Sequence, residues 1–106
     1  MSVEDIEFEW DEDKNTKNIF KHKIDFWDAV YIWNDPRRQE RYDVEHSTHD
    51  EDRWITIGVS RFGALMVVYT DKVHFDESDL RIVSARKARP NEVKKYKAMT
   101  FATGVM

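Results

Sequence analysis

Two apolar runs separated by a short break constrain this chain more than any other feature. Arg53 to Ser60, RWITIGVS, alternates Ile55, Ile57 and Val59 with Trp54, Thr56 and Gly58, the period of a strand with one buried face. Ala64 to Thr70, ALMVVYT, is apolar almost throughout, which suits a strand covered on both faces. Arg61, Phe62 and Gly63 supply the hairpin turn between them. A strand dry on both sides belongs inside a sheet, so Leu65 to Thr70 is expected at its centre. Leu80, Ile82 and Val83 give a third strand, reached through VHFDES, while Ile6, Phe8 and Trp10 alternate with Glu7 and Glu9 as a half-buried strand near the start.

The helices are read from caps and spacing. Asp11 or Asp13 can cap a helix over Lys14 to Lys23, in which Ile19 and Phe20 are the few apolar residues and Asn15, Asn18 and His22 share one face. That polar face is expected to meet water. Phe26, Ala29, Val30 and Trp33 form a core-facing stripe for a second helix, capped by Asp25 and ended by Asn34, Asp35 and Pro36. Residues 37–52 read as a short exposed strand and a loop, with Tyr42 and Val44 as apolar anchors. Pro90 is expected to close the third strand and Asn91 to cap a helix running through Met99. The order predicts an α+β domain over residues 1–99, an antiparallel sheet with helices gathered on one face, and a loose tail over 100–106.

With 106 residues and 41% hydrophobic content the chain supports one domain and one real core. It has no cysteine, so disulfides and thiolate metal sites are excluded. The acidic start MSVEDIEFEW lacks the pattern of a signal peptide, which leads to the expectation of a cytoplasmic protein. His46 and His49 are three apart in an acidic loop but lack the helical HExxH arrangement of a metal site, and no cofactor is implied. The net charge of -4 hides an asymmetry. Residues 1–52 carry 7 basic and 16 acidic side chains, residues 53–106 carry 10 and 5. From Arg81 to Lys97 there are seven Lys or Arg against the single acid Glu92. Such a cluster at a strand end suits a bound anion such as phosphate, or alternatively a solvated helix face with ordinary ion pairs.

The runs FEWDEDK (Phe8 to Lys14), then Asn18, KHKIDFWDAVYIWNDP (Lys21 to Pro36), EDRWITIGVS (Glu51 to Ser60), LMVVYT (Leu65 to Thr70) and LRIVSARKA (Leu80 to Ala88), in this order, resemble the BrnT toxins. The resemblance extends nearly to Tyr96. It departs at Lys23, where the family usually has Gly, and in a longer loop from Asp43 to Arg53. It implies a RelE/ParE-like fold and the toxin half of a type II toxin-antitoxin pair: a ribonuclease that blocks translation. The implied partner is a BrnA-type ribbon-helix-helix antitoxin, through which alone operator DNA would be bound.

RNA cleavage without a metal uses the ribose 2′-hydroxyl as nucleophile and needs a base, an acid and cations. His22, Arg53, Arg81 and Arg86 are the matching catalytic candidates, with Lys14, Ser84 and Lys87 as phosphate contacts. Arg86 suits a phosphate ligand, or alternatively a structural bridge to Glu51 or Asp52; His22 could instead bond across to the sheet. Arg81 and Arg86 are five apart and face opposite ways on a regular strand, so only a bulge would unite them. Trp27, off its helix's core stripe, and Phe101 in the tail are the expected antitoxin anchors, and exposed aromatics of this kind favour self-association of the free chain. A non-catalytic binding module of the same fold is the alternative class of function.

Overall fold

A computed structural model describes residues 3–71 and 79–102. After a 3-10 turn at Val3–Asp5 come β1 (Glu7–Glu9), α1 (Glu12–His22) and α2 (Phe26–Ala29), which runs on as a 3-10 helix over Val30–Asn34. Then follow β2 (Gln39–Tyr42), β3 (Arg53–Ser60), β4 (Gly63–Asp71), β5 (Asp79–Lys87) and α3 (Pro90–Lys97). The five strands form one sheet in the order β1-β5-β4-β3-β2. β4 is central, as its two-sided apolar pattern requires. The expected all-antiparallel sheet is corrected by β1, which pairs parallel to β5. β1 is followed by a helix and reaches β5 by a long crossover, a connection that sequence adjacency cannot reveal. The expected link VHFDES lies outside the described residues.

The helices cover both faces of the sheet rather than one. On the first face Leu65, Val67, Tyr69, Ile82 and Ala85 pack against Ile24, Phe26, Ala29, Val30, Ile32 and Trp33. The predicted stripe of the second helix is therefore the core stripe, although that helix tightens after Ala29. Gly58 permits this approach: a Cβ there would stand 2.9 Å from Ile32 Cβ. Across the sheet Met66 and Ile57 are covered by Tyr96 and Phe101. Phe101 is only 1% exposed, its N–H donates to Gln39 Oε1, and Gln39 Nε2 donates to the Tyr96 carbonyl. The start of the tail is thus docked and not loose, because an aromatic side chain found apolar cover on the second face.

α3 begins at Pro90, not after it. Proline suits the first helical position, where its missing N–H would have had no partner. The Arg89 N–H donates instead to the Glu92 carboxylate at 2.7 Å.

α1 reverses the expected orientation. Asn15 and Asn18 are buried while Ile19 and Phe20 are exposed, Phe20 by 81%. β1 pairs with β5 only from Asp79 to Arg81, so the rest of β5 presents an open edge, and α1 lies along it. Asn18 Nδ2 donates to the carbonyl of Ala85 at 2.8 Å while its Oδ1 accepts the Ala85 N–H at 3.1 Å, as a neighbouring strand would. The same amide donates to the Ile24 carbonyl. Asn15 accepts the Phe26 N–H and donates to Asp25, the cap of α2. The two amides therefore satisfy buried backbone groups, which apolar side chains could not do. α1 closes at Lys23 with φ 63°, the left-handed conformation that favours glycine. Among the described residues no helix is long and apolar enough to cross a membrane.

Two stability changes follow from these contacts. Asn18→Ala should cost on the order of 3 kcal/mol in urea denaturation, because it leaves the buried polar groups of Ala85 unpaired. Lys23→Gly should gain about 1 kcal/mol by relieving the left-handed backbone. An unchanged midpoint for Asn18→Ala would refute its role as the edge of the sheet.

Candidate functional site

β5 carries a bulge, the one condition under which Arg81 and Arg86 could share a face. Val68 pairs with Ser84 but Tyr69 pairs with Ile82, so Val83 is an extra residue. The insertion flips the alternation, and Arg81, Ser84 and Arg86 all face the side of the sheet that carries α3. On that face the register sets three rows of side chains. Gln39, Ile57, Met66 and Arg86 form the row beneath α3, Arg41, Ile55, Val68 and Ser84 the next, and Arg53, Thr70, Arg81 and Glu9 the outermost. α3 and Phe101 close the first row. The middle row, with Arg53 from the outermost, remains open as a groove of about 500 Å³, lined by Arg41, Arg53, Val68 and Ser84 from the sheet and by Asp43 and His46 from the loop after β2; Thr70 is buried and Arg81 lies outside this lining.

The arginines differ in how firmly they are engaged. Arg53 Nε lies 3.2 Å from Glu51 Oε1 and Arg81 Nη1 lies 3.4 Å from Glu9 Oε1, both in partly exposed pairs. Such pairs contribute little and exchange readily for a better anion. Arg41 stacks over the ring of Phe101 at 4.5 Å and has no carboxylate partner among the described residues. Arg86 is committed: two parallel bonds of 2.8 Å join it to Glu92, and it also donates to the Lys87 carbonyl. The hydrogen bond from Arg86 holds the Glu92 carboxyl below its usual range despite partial burial. Arg86 is thus a strut from β5 to α3, a bridge whose partner is Glu92 rather than Glu51 or Asp52.

The remaining candidates lie apart from the groove lining. His22 ends α1, half-buried, and burial first, then the charges of Lys21 and Arg86, lower its pKa from 6.5. Lys14 on the first turn of α1 and Lys87 at the end of β5 are exposed. Trp27 is 64% exposed and packs edge-on to Trp10; with Tyr31 and Phe62 it lines a second depression beside the β3–β4 turn. Phe101 is buried, which removes it as an exposed anchor.

Arg41, Asp43 and His46 were not among the sequence candidates. Arg41 was legible as the residue two after Gln39 on a short strand, but its facing depended on the pairing of Arg41 with Ile55. His46 Nδ1 sits 2.9 Å from Asp43 Oδ2, a contact made by a turn within the loop.

The α3 side of the groove is tied back to the other face of the molecule. The Tyr96 hydroxyl donates to Asp35 Oδ2, and Asp35 also accepts the N–H of Val59 and of Arg37. Burial and this carboxylate push the Tyr96 phenol up to about 12. The hydrogen bonds outweigh burial at Asp35 and keep its carboxyl low.

The family described as ribonuclease toxin, BrnT, of type II toxin-antitoxin system matches the chain over residues 10–92. No curated protein compared with it matches.

The shifted groups give a pH signature. His22 has a folded-state pKa below 6.5 and Glu92 one below 4.5, so each contributes stability that is present above those unfolded values and lost as pH falls through the lower folded ones. Denaturation midpoints of the parent should therefore drop in two stages on acidification. His22→Gln should remove the fall that begins just below pH 6.5, and Glu92→Gln should shrink the one that begins below 4.5, to which Asp35 also contributes. Identical profiles for parent and variants would contradict both assignments.

Proposed function

The chain belongs to the BrnT family, ribonuclease toxins of type II toxin-antitoxin systems, and on that premise we propose that it is a RelE/ParE-like ribonuclease that cleaves RNA without a metal ion and so blocks translation. The observation that carries this is the arginine-lined face of the sheet. Arg53 and Arg81 flank Thr70 from the neighbouring strands, with Arg41 and Ser84 in the adjacent row. Thr70 itself is buried, so a scissile phosphate lying over the half-buried Val68 would meet Arg41 and Arg53 on one side and Arg81 on the other. Those cations would stabilise the charge that builds on the phosphoryl oxygens as the 2′-oxygen attacks. The weak pairs to Glu51 and Glu9 let Arg53 and Arg81 exchange a carboxylate for the phosphate, whereas Arg86 serves as a positioning residue that holds α3 over the end of the cleft. Lys14 and Lys87 extend the positive field beyond the reacting phosphate, a role for flanking nucleotides, while His22, its pKa lowered by burial and by Lys21 and Arg86, adds no charge there near neutral pH.

The partner is a BrnA-type ribbon-helix-helix antitoxin, and operator DNA is bound through it alone. Exposed Trp27 is its aromatic anchor on this chain, and the same exposure drives self-association of the free toxin.

Induced expression should arrest growth, and the purified protein should cut RNA equally well with and without EDTA. Arg53→Ala and Arg81→Ala should each slow cleavage by about 100-fold and relieve the arrest without lowering the melting temperature. RNA affinity should fall steeply with salt as phosphate contacts release counterions. Cleavage abolished by EDTA, or full toxicity in both arginine variants, would refute the proposal.

A further inference from the structure

We infer that His46 is the general base of RNA cleavage and that Asp43 is its positioning residue, an assignment that rests on the ribonuclease function proposed above. Among the described histidines, His46 is the one that lines the arginine groove. Its ring, 65% exposed, and its backbone are both held by one carboxylate. Nδ1 lies 2.9 and 3.1 Å from the two Asp43 carboxylate oxygens, and the His46 backbone N–H donates to the same carboxylate. Asp43 is itself fixed, its side chain only 11% exposed. Its N–H donates to the Arg53 carbonyl, and its own carbonyl accepts the Ser47 N–H. The pair is therefore built onto the ends of β2 and β3, the strands that carry Arg41 and Arg53.

This anchoring sets the chemistry. A carboxylate only accepts, so Nδ1 carries the proton and the neutral ring turns the lone pair of Nε2 outward. The charged groups around it are Asp43 and Glu45 from its own loop and Arg41 and Arg53 from the strands. The arginines position a phosphate, and the Asp43 carboxylate stabilises the imidazolium that forms on proton uptake, as in other carboxylate-histidine pairs.

In the step, Nε2 takes the proton of the 2′-hydroxyl as the 2′-oxygen bonds to phosphorus, and the bond from phosphorus to the 5′-oxygen breaks. The 5′-oxygen leaves with a proton from water. The imidazolium returns its proton to solvent, leaving a 2′,3′-cyclic phosphate and a 5′-hydroxyl.

The test compares the parent, His46→Ala, His46→Gln and Asp43→Asn on an RNA and on the same RNA with sulfur in place of the 5′-bridging oxygen. Both His46 variants should lower kcat by about 100-fold or more while RNA binding and melting temperature stay as in the parent. Asp43→Asn should lower kcat by about tenfold and shift the pH-rate profile, which loss of a merely structural contact would not do. Sulfur leaves without needing a proton, so the His46 defect should persist on that substrate. Parental rates in both His46 variants, or a defect that disappears with sulfur, would overturn the assignment while leaving the ribonuclease function intact. A parent protein that cuts neither RNA would overturn that function, and the assignment with it.

Discussion

The amide of Asn18 against the backbone of Ala85 is the contact on which the arrangement depends. A three-residue first strand cannot cover a nine-residue neighbour, and an open, buried edge on β5 would leave donors and acceptors with no partner. One side chain takes both roles at 2.8 and 3.1 Å and also binds the Ile24 carbonyl. It thereby locks α1, the turn into α2 and β5 together. Asn15 repeats the device one turn earlier, on Phe26 and Asp25. The burial of two asparagines at the cost of exposing Phe20 is explained by this backbone demand, which outranks the loss of one apolar contact.

With β5 fixed along its length, the bulge at Val83 decides what the second face displays. Without the extra residue, Arg81 would turn into the apolar layer of Tyr69 and Trp33, where a lone guanidinium is untenable. With it, the cations collect on the face that α3 leaves half open. The division of that face is equally physical. Arg86 and Glu92 pin α3 at its start, and Gln39 bonds both Tyr96 and Phe101 at its end. The result is a dry half built on Met66 and Ile57 beside a solvated half rich in arginine.

The parts of this fold legible in the sequence were those dictated by local chemistry. The alternation of Ile55 and Ile57 and the continuous run around Val67 gave the hairpin and the central strand; Asp25 gave one cap, and Asp11, offered beside Asp13, is the other; Phe26, Ala29, Val30 and Trp33 gave the core stripe. Long-range facts were not legible. The parallel pairing of β1, the inward turn of Asn15 and Asn18, and the burial of Phe101 each depend on a partner distant in sequence. The same holds for the candidate site. Arg53, Arg81 and Ser84 were candidates by type and lie on the groove face, and the spacing of Arg81 and Arg86 showed only that a bulge was the condition for their sharing it. Arg86 was read from its bidentate guanidinium as a phosphate ligand or as a structural bridge to Glu51 or Asp52; three-dimensionally its counterion is Glu92, six residues on. Lys23 holds a left-handed backbone angle that suits glycine, a demand that only the helix terminus discloses.

The pairing of Glu9 with Arg81 spans 72 residues, and it bears on when this molecule becomes whole during synthesis. The first strand and the three before β5 emerge early, but the edge that Asn18 seeks and the arginines of the outer row arrive only with β5. Contacts so distant in sequence form late, because their loop must close before they repay its entropy. A chain still emerging from the ribosome therefore has three of five strands paired and no finished cleft, and synthesis itself imposes a delay before the first functional surface.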